Sequence, residues 1–270
     1  LAYLALGLGV SYKLIPAVIV PLVVIADVRA QRLLKDELRL AVGLLVFAAT
    51  AIGPFAYYYY TAGAKLWTMF QYHRARGLEI ESLWSTLAFA LRPFGFKVDA
   101  VHDFGSWNIQ CRLDRELLAA STATMLIILA VGLVRACWPT RRFTRSDAFR
   151  WALLTLVAMV VSAKVLSTQY LLWGLPAAML LGIERLSYRR FLLLCAGLLV
   201  AAALSTCVFP YLFYAKLPLP SGIVENPHPL VPRLDWLPCT LLAARNLLLV
   251  ALLGWLAKAV FGGERPAIET

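Results

Sequence analysis

The feature that most constrains this chain is a series of apolar runs that are long enough to cross a lipid bilayer. A helix needs about 20 predominantly apolar residues to span the hydrocarbon core. We interpret seven runs as such helices, so the sequence predicts an all-α integral membrane protein with about seven transmembrane helices. The runs cover residues 1–26, 40–60, 117–137, 150–166, 168–183, 191–213 and 238–260.

The composition agrees with a membrane protein, because 61% of the 270 residues are hydrophobic and only 15% are charged. A soluble domain is about half apolar and a quarter charged. The net charge of +11 is therefore assigned to loops that contact anionic lipid head groups, and no nucleic-acid partner is expected. The cysteines show no metal-ligand spacing, so we expect no metal.

Basic residues in the short connections predict the orientation of the chain. Cytoplasmic loops of membrane proteins carry an excess of Lys and Arg. Three basic connections fall on one side of a seven-helix arrangement, and we assign that side to the cytoplasm. They lie near residues 27–39, 138–150 and 184–190.

The opposite, exoplasmic side then receives the polar segments of a single polytopic domain, residues 1–270, in the plasma membrane. These segments are 61–116, 162–170 and 216–238. Because the chain begins at Leu1 inside an apolar run, we expect it to be truncated at its N-terminus.

The exoplasmic segment 61–116 predicts two short helices that lie along the membrane surface. Between them, the stretch "HRARGLEIES" places charged and polar side chains close together. Arginine suits bidentate binding of phosphate, which favours an anion site here. The alternative is that the basic residues snorkel and the acidic residues cap a helix. The candidate residues in this stretch are Arg74, Arg76, Glu81 and Ser82.

Lys13 lies near the middle of the first apolar run, where a charge is costly and usually faces a cavity or a partner. The neighbouring Gly7, Gly9 and Pro16 predict a broken or kinked helix beside it. The alternative is that the span begins later and Lys13 reaches an interface.

A second polar stretch, "SAKVLSTQY", separates the fourth and fifth runs and predicts a tight turn near the membrane surface. Its functional interpretation is a polar site on the same side as segment 61–116. The alternative is interfacial anchoring with a helix cap at Ser167. The candidate residues are Lys164, Ser167, Gln169 and Tyr170.

Three stretches, "GVSYKLIPAVIVPLVV", "HRARGLEIESLWS" and "AKVLSTQYLLWGLPA", resemble in order and spacing the polytopic glycosyltransferases of family 87, within the GT-C class. Thr168 departs from the pattern, because many relatives carry Pro at this position. The positions that match are Lys13, Pro16, Arg76, Gly77, Glu81, Ser82, Lys164, Ser167, Gln169, Tyr170, Trp173 and Pro176.

The resemblance implies an enzyme that moves a hexose, most often mannose, from a polyprenyl-phosphate donor to a glycolipid or cell-envelope glycan. The expected partners are therefore membrane lipids, the lipid-linked donor and the acceptor, and no other cofactor is implied. Lys164, Arg76 and Lys13 would hold the donor phosphate, while Gln169, Tyr170 and Ser82 would bind hydroxyls or orient the cations. The catalytic acid of this class is expected before Leu1, which leaves Glu81 as the second choice. Glu81 would otherwise position an arginine or the acceptor.

Two other kinds of protein fit the same polar residues. A transporter or lipid flippase would use them to pass an anionic substrate, with charges spread through the middle of several spans. A non-catalytic membrane subunit would leave the polar stretches without a role.

Overall fold

The structure, a computed structural model, describes the chain in seven stretches and is mostly helical. The described residues are 1–12, 15–30, 34–103, 105–138, 145–166, 168–212 and 236–261. Within them lie ten α-helices: α1 (Ala2–Tyr12), α2 (Val20–Ala30), α3 (Leu34–Ala62), α4 (Leu66–Ala75), α5 (Leu83–Ala90), α6 (Asp114–Cys137), α7 (Arg145–Ser162), α8 (Thr168–Arg185), α9 (Tyr188–Thr206) and α10 (Trp236–Phe261).

Four helices in the described part of the chain are long and apolar enough to cross a membrane. They correspond to four of the predicted runs and begin in α3, α6, α9 and α10; the first span continues past α3 through α4, and the third ends three residues after α9. The apolar spans are Asp36–Ala75, Asp114–Cys137, Tyr188–Phe209 and Trp236–Val260. These helices are consistent with a membrane location. The orientation of the chain in the membrane stays a prediction.

The prediction of about seven spans is wrong for the described residues, because three of the runs form helices that are too short or too polar. The first run divides into α1 and α2, with Pro16 in a 3₁₀ turn between them. Each of these helices has 11 residues, or about 17 Å of a hydrocarbon core of about 30 Å. The predicted break in this run is thereby confirmed.

The fourth and fifth runs fall short for related reasons. The apolar part of α7 extends only from Phe149 to Ser162. Helix α8 has 18 residues, but it opens on Thr-Gln-Tyr and closes on Glu184 and Arg185. Charged and polar residues at both ends leave too little apolar length in α8 for a full crossing.

The chain divides into two compact units. The first contains Leu1–Arg76 and Leu126–Leu156, and the second contains Gly77–Met125 and Val157–Thr270. In the first unit, α1 packs closely on α3, because a Cβ added at Gly7 would lie 2.9 Å from the carbonyl oxygen of Phe47. Small residues allow this close approach of two helices in lipid. The hydroxyl of Tyr3 donates to Asp27 Oδ2 at 3.0 Å, which joins α1 to α2.

The second unit contains a three-stranded antiparallel sheet that the sequence analysis did not anticipate. Its strands are β1 (Leu78–Glu79), β2 (Val98–Asp103) and β3 (Ser106–Cys111), in the spatial order β1-β3-β2. Leu78 pairs with Ile109, and Val98 pairs with Cys111. Segment 61–116 thus holds the short helices α4 and α5, as predicted, together with this sheet.

One apolar cluster joins the sheet to the membrane helices of the second unit. Buried residues of the strands and α5 pack against Val208, which follows α9, and against Cys239 and Leu242 of α10. The polar segment that begins at Gly77 is therefore fixed to the C-terminal end of α9 and the N-terminal half of α10. The remaining members of the cluster are Leu78, Ile80, Ala88, Phe89, Val98 and Ile109.

Candidate functional site

The predicted site residues fall in different parts of the structure. Arg74, which is exposed in α4, and Arg76, which is half-buried just after it, belong to the first unit. Glu81, Ser82 and Lys164 belong to the second unit. Lys13 and Ser167 lie outside the described residues, as do the side chains of Gln169 and Tyr170.

The Glu79–Ser82 turn joins β1 to α5 and is closed by its own hydrogen bonds. The backbone N–H of Ser82 donates to the Glu79 carbonyl at 2.9 Å. The Ser82 hydroxyl caps α5 by accepting from the Ser85 backbone N–H at 3.1 Å, as a serine at this position commonly does. The Ser85 hydroxyl in turn donates to the Glu79 carbonyl at 2.5 Å. The Ser82 hydroxyl therefore shapes the turn.

The side chain of Arg245, in α10, is fully buried against this turn. Its Nη2 donates to the main-chain carbonyl of Glu81 at 2.7 Å and lies 3.5 Å from the Glu81 carboxylate oxygen Oε2. Its Nη1 donates to the carbonyl of Leu166 at 3.4 Å. One guanidinium thus connects α10 to the Glu79–Ser82 turn and to the chain that precedes α8.

Asn246 follows Arg245 and is also fully buried. Its amide nitrogen lies 3.1 Å from the Ser82 carbonyl, 3.3 Å from the Glu81 carbonyl and 2.7 Å from the Thr86 hydroxyl oxygen. Two amide hydrogens are shared among these three acceptors. The start of α5 is therefore tied to α10 through side-chain bonds in an apolar setting, where an unmet polar group would be costly.

The connection between α7 and α8, residues 162–166, is held at every second carbonyl. Ser162 accepts from the indole N–H of Trp84 at 2.7 Å and from the Ser121 hydroxyl at 3.0 Å. Lys164 accepts from the backbone N–H of Glu79 at 2.9 Å. Leu166 accepts from Arg245 at 3.4 Å. This 162–166 connection is therefore bonded to α5, α6, α10 and the Glu79–Ser82 turn.

These bonds bring together the two polar stretches on which the sequence analysis concentrated. Glu81 and Ser82 are buried on one side of the contact, and the half-buried Lys164 lies on the other. Main-chain carbonyls and N–H groups form this contact. It therefore depends on the fold more than on the candidate side chains.

The carboxyl group of Glu81 has an altered acidity. Burial raises its pKa from 4.5 to about 8, the neighbouring Glu79 adds to the increase, and the positive charge of Arg245 partly offsets it. A carboxyl group with such a pKa is mostly protonated at neutral pH. Glu81 contacts an arginine, as one interpretation of the sequence expected, although the arginine is one that the sequence analysis did not select.

The sequence analysis missed Arg245, Asn246 and Trp84. The signal for the first two was present, because "AARN" interrupts the apolar run 238–260. Ionisable residues within membrane spans are rare and commonly functional. Trp84 lies in the stretch "HRARGLEIESLWS", but the sequence did not indicate that its indole would bind the carbonyl of Ser162.

The described residues contain no group of three or more His, Cys, Asp and Glu side chains arranged to hold a metal ion. The expectation that no metal is used remains untested.

No protein-family model, no curated protein and no solved structure matches the chain. The resemblance to family 87 glycosyltransferases, and the activity that it implies, therefore stay predictions.

Proposed function

We propose that the protein is a membrane glycosyltransferase of the GT-C class. It would move a hexose, most often mannose, from a polyprenyl-phosphate donor to a glycolipid or cell-envelope glycan. The reaction would take place on the exoplasmic face of the plasma membrane. The proposal rests on the three sequence motifs and on the way in which two of them meet in the fold.

The observation that carries the proposal is the bond between the backbone N–H of Glu79 and the carbonyl of Lys164, at 2.9 Å. It joins the stretch that contains Glu81 and Ser82 to the 162–166 connection. A lipid-phosphate donor keeps its tail in the bilayer and its phosphate at the surface, and it needs a fixed cation there. A lysine on a firmly held connection beside membrane helices meets that need.

In the proposed reaction, an acceptor hydroxyl attacks the anomeric carbon of the sugar. The bond between that carbon and the phosphate oxygen breaks, and polyprenyl phosphate leaves with the bonding electron pair. The hydroxyl proton passes to a general base. A single displacement of this kind inverts the anomeric configuration.

The described residues would serve this reaction in different ways. Lys164 would stabilise the negative charge that develops on the leaving phosphate. Glu81 and Ser82 are buried in the Glu79–Ser82 turn, so we assign them to shaping the site and not to binding sugar. Gln169 and Tyr170 remain the candidates for sugar hydroxyls.

A transporter or flippase for an anionic lipid is the second candidate, and the buried Arg245 favours it. Arg245 lies about 14 Å along α10 from Trp236 at 1.5 Å per residue, within a membrane-length helix. Charges at such depth mark substrate pathways in many transporters. Here, however, the guanidinium is enclosed and bonded to carbonyls, which suits a fixed scaffold better than a pathway.

The test uses the full-length protein in lipid nanodiscs with radiolabelled polyprenyl-phosphate-mannose and a membrane lipid extract. We expect label to move to a new lipid or glycan. Lys164→Ala should lower kcat/KM about a hundredfold, by analogy with the loss of one charge-stabilising donor. Lys97→Ala, which changes an exposed lysine, is the matched control and should behave as wild type.

The same protein in sealed vesicles separates the two candidates. Label that crosses the bilayer without being transferred to an acceptor would support the transporter and overturn the transferase. If the folded protein transfers no sugar from mannose, glucose or arabinose donors, the transferase proposal is likewise overturned.

A further inference from the structure

Arg245 makes its closest bonds to main-chain carbonyls. It reaches Glu81 at 2.7 Å and Leu166 at 3.4 Å, while the Glu81 carboxylate lies at 3.5 Å. These carbonyls belong to two segments that are far apart in sequence. The guanidinium therefore binds the Glu79–Ser82 turn and the 162–166 connection at the same time and fixes the distance between them.

A guanidinium is suited to this task because its donors point outward in a rigid, planar fork. A lysine carries the same charge at a single point and cannot reach two separated carbonyls with a fixed geometry. Burying such a charge is expensive, and an apolar replacement is often as stable or more stable. The geometry that the guanidinium imposes on the two segments is a use that an apolar side chain could not supply.

The bond from Arg245 helps to hold the main chain around Lys164. The carbonyl of Lys164 is bonded to Glu79, and the carbonyl of Leu166, two residues later, is bonded to Arg245. On the other side, the Ser162 carbonyl is bonded to Trp84. Lys164 thus lies at the centre of a connection that is held at both ends and in the middle, so its main chain has little freedom.

We propose that Arg245 is a positioning residue which, together with Trp84, fixes the 162–166 connection so that Lys164 meets the phosphate of a polyprenyl-phosphate ligand. This inference deepens the proposed function and rests on it. It assigns to the buried arginine a role in substrate binding that is exerted through Lys164 and involves no contact with the substrate.

The test is a double-mutant cycle in the binding of polyprenyl phosphate, which requires no turnover. Dissociation constants are measured for full-length wild type, Arg245→Lys, Lys164→Met and the double variant in nanodiscs. We expect each single change to raise Kd about tenfold, the effect of about one lost charge-assisted bond. The double variant should bind no more weakly than Lys164→Met, because Arg245 acts through that lysine.

A purely structural role for Arg245 would give a different result. Its effect would then be independent of Lys164, and the two losses would multiply in the double variant. Multiplied losses, or an unchanged Kd in Arg245→Lys, would overturn the inference. Lys258→Met is the control, since Lys258 is an exposed cation on the same helix and its loss should leave Kd unchanged.

If Arg245→Lys does not fold, a second variant tests the same inference. Trp84→Phe removes the indole donor to Ser162 and loosens the same connection from its other end. It should raise Kd several-fold in the wild-type background and leave Kd unchanged in the Lys164→Met background. An equal effect in both backgrounds would overturn the inference.

The cycle also separates failure of the inference from failure of the proposed function. Wild type that binds polyprenyl phosphate but transfers no sugar would overturn the transferase alone. Wild type that does not bind polyprenyl phosphate would overturn both.

Discussion

Arg245 Nη2 lies 2.7 Å from the main-chain carbonyl oxygen of Glu81 and 3.5 Å from its carboxylate oxygen. The shorter bond does not depend on the glutamate side chain. Replacing Glu81 with glutamine therefore keeps the main attachment between α10 and the Glu79–Ser82 turn. Replacing Arg245 removes that attachment and the bond to Leu166 together, so the two partners should differ in their sensitivity to mutation.

The first prediction concerns the dependence of stability on pH. Between the ordinary pKa of 4.5 and the folded value of about 8, the folded protein binds more protons at Glu81 than the unfolded chain does. The stability that this proton contributes is fully present below the lower value and is lost as the pH rises through about 8. We expect the thermal midpoint of wild type to fall by several degrees over this window relative to Glu81→Gln.

The measurement is a series of thermal unfolding curves of both proteins in detergent across the window. Other titrating groups are common to both and cancel in the difference. If the thermal midpoints of the two proteins change with pH in parallel, the pKa of Glu81 is not raised in the folded protein and the prediction is wrong.

The second prediction concerns Asn246. Asn246→Leu removes the amide donor from the Glu81 and Ser82 carbonyls and from the Thr86 hydroxyl. The Glu81 carbonyl keeps its bond to Arg245 and the Ser82 carbonyl keeps its bond to the Thr86 backbone N–H. The cost is therefore that of the lost hydrogen bonds at a buried position, and the free energy of unfolding should fall by about 1–3 kcal/mol. Chemical denaturation in detergent measures the change. Thr240→Val, on an exposed position of the same helix, should cost less than about 0.5 kcal/mol. Equal costs would refute the prediction.

The third prediction concerns the Ser162 carbonyl, which has two donors in Trp84 and Ser121. Trp84→Phe or Ser121→Ala leaves one donor in place, so each should cost about 1 kcal/mol. The double variant leaves the carbonyl with neither donor and should cost more than the sum of the single changes. Unfolding free energies of the four proteins test this, and simple additivity would argue against a shared acceptor.

The fourth prediction concerns the two ends of α9. The cluster that contains Val98 lies near the C-terminal end of this helix, at Val208, while Arg189 lies in its first turn. A helix of 19 residues is about 28 Å long. In a background with its five cysteines replaced by serine, Lys97→Cys should react with an impermeant maleimide on intact cells. Arg189→Cys should react only after permeabilisation, and labelling of both on intact cells would exclude the proposed orientation.

The sequence predicted the long membrane helices well, because their signal is local. The runs at 40–60, 117–137 and 238–260 each lie within one of the four apolar helical spans, and the run at 191–213 overlaps the span Tyr188–Phe209. The signal failed for the run at 1–26. Composition counts apolar residues but does not show whether they form one helix, and here a 3₁₀ turn that contains Pro16 lies between two short helices.

The parts that the sequence did not predict depend on distant pairings. Strand β1 has only two residues and exists because Leu78 pairs with Ile109. The "AARN" interruption was visible, yet its meaning depends on Glu81 and Leu166, which approach Arg245 only in the folded chain. The sequence analysis identified Glu81 and Lys164 as candidates, but it could not predict which buried arginine would connect their segments.

The attachment of the Glu79–Ser82 turn to α10 has a consequence for biogenesis. During synthesis the turn emerges long before Arg245, so it must wait for α10 before it can be secured. Arg245 in turn enters the bilayer at a cost of about 3 kcal/mol, which its carbonyl partners relieve only after docking. Nascent chains that stop before Trp236 would leave the 162–166 connection without one of its anchors. Docking of α10 is therefore the step that completes the contacts of the 162–166 connection, and until it docks Arg245 is without its two carbonyl partners.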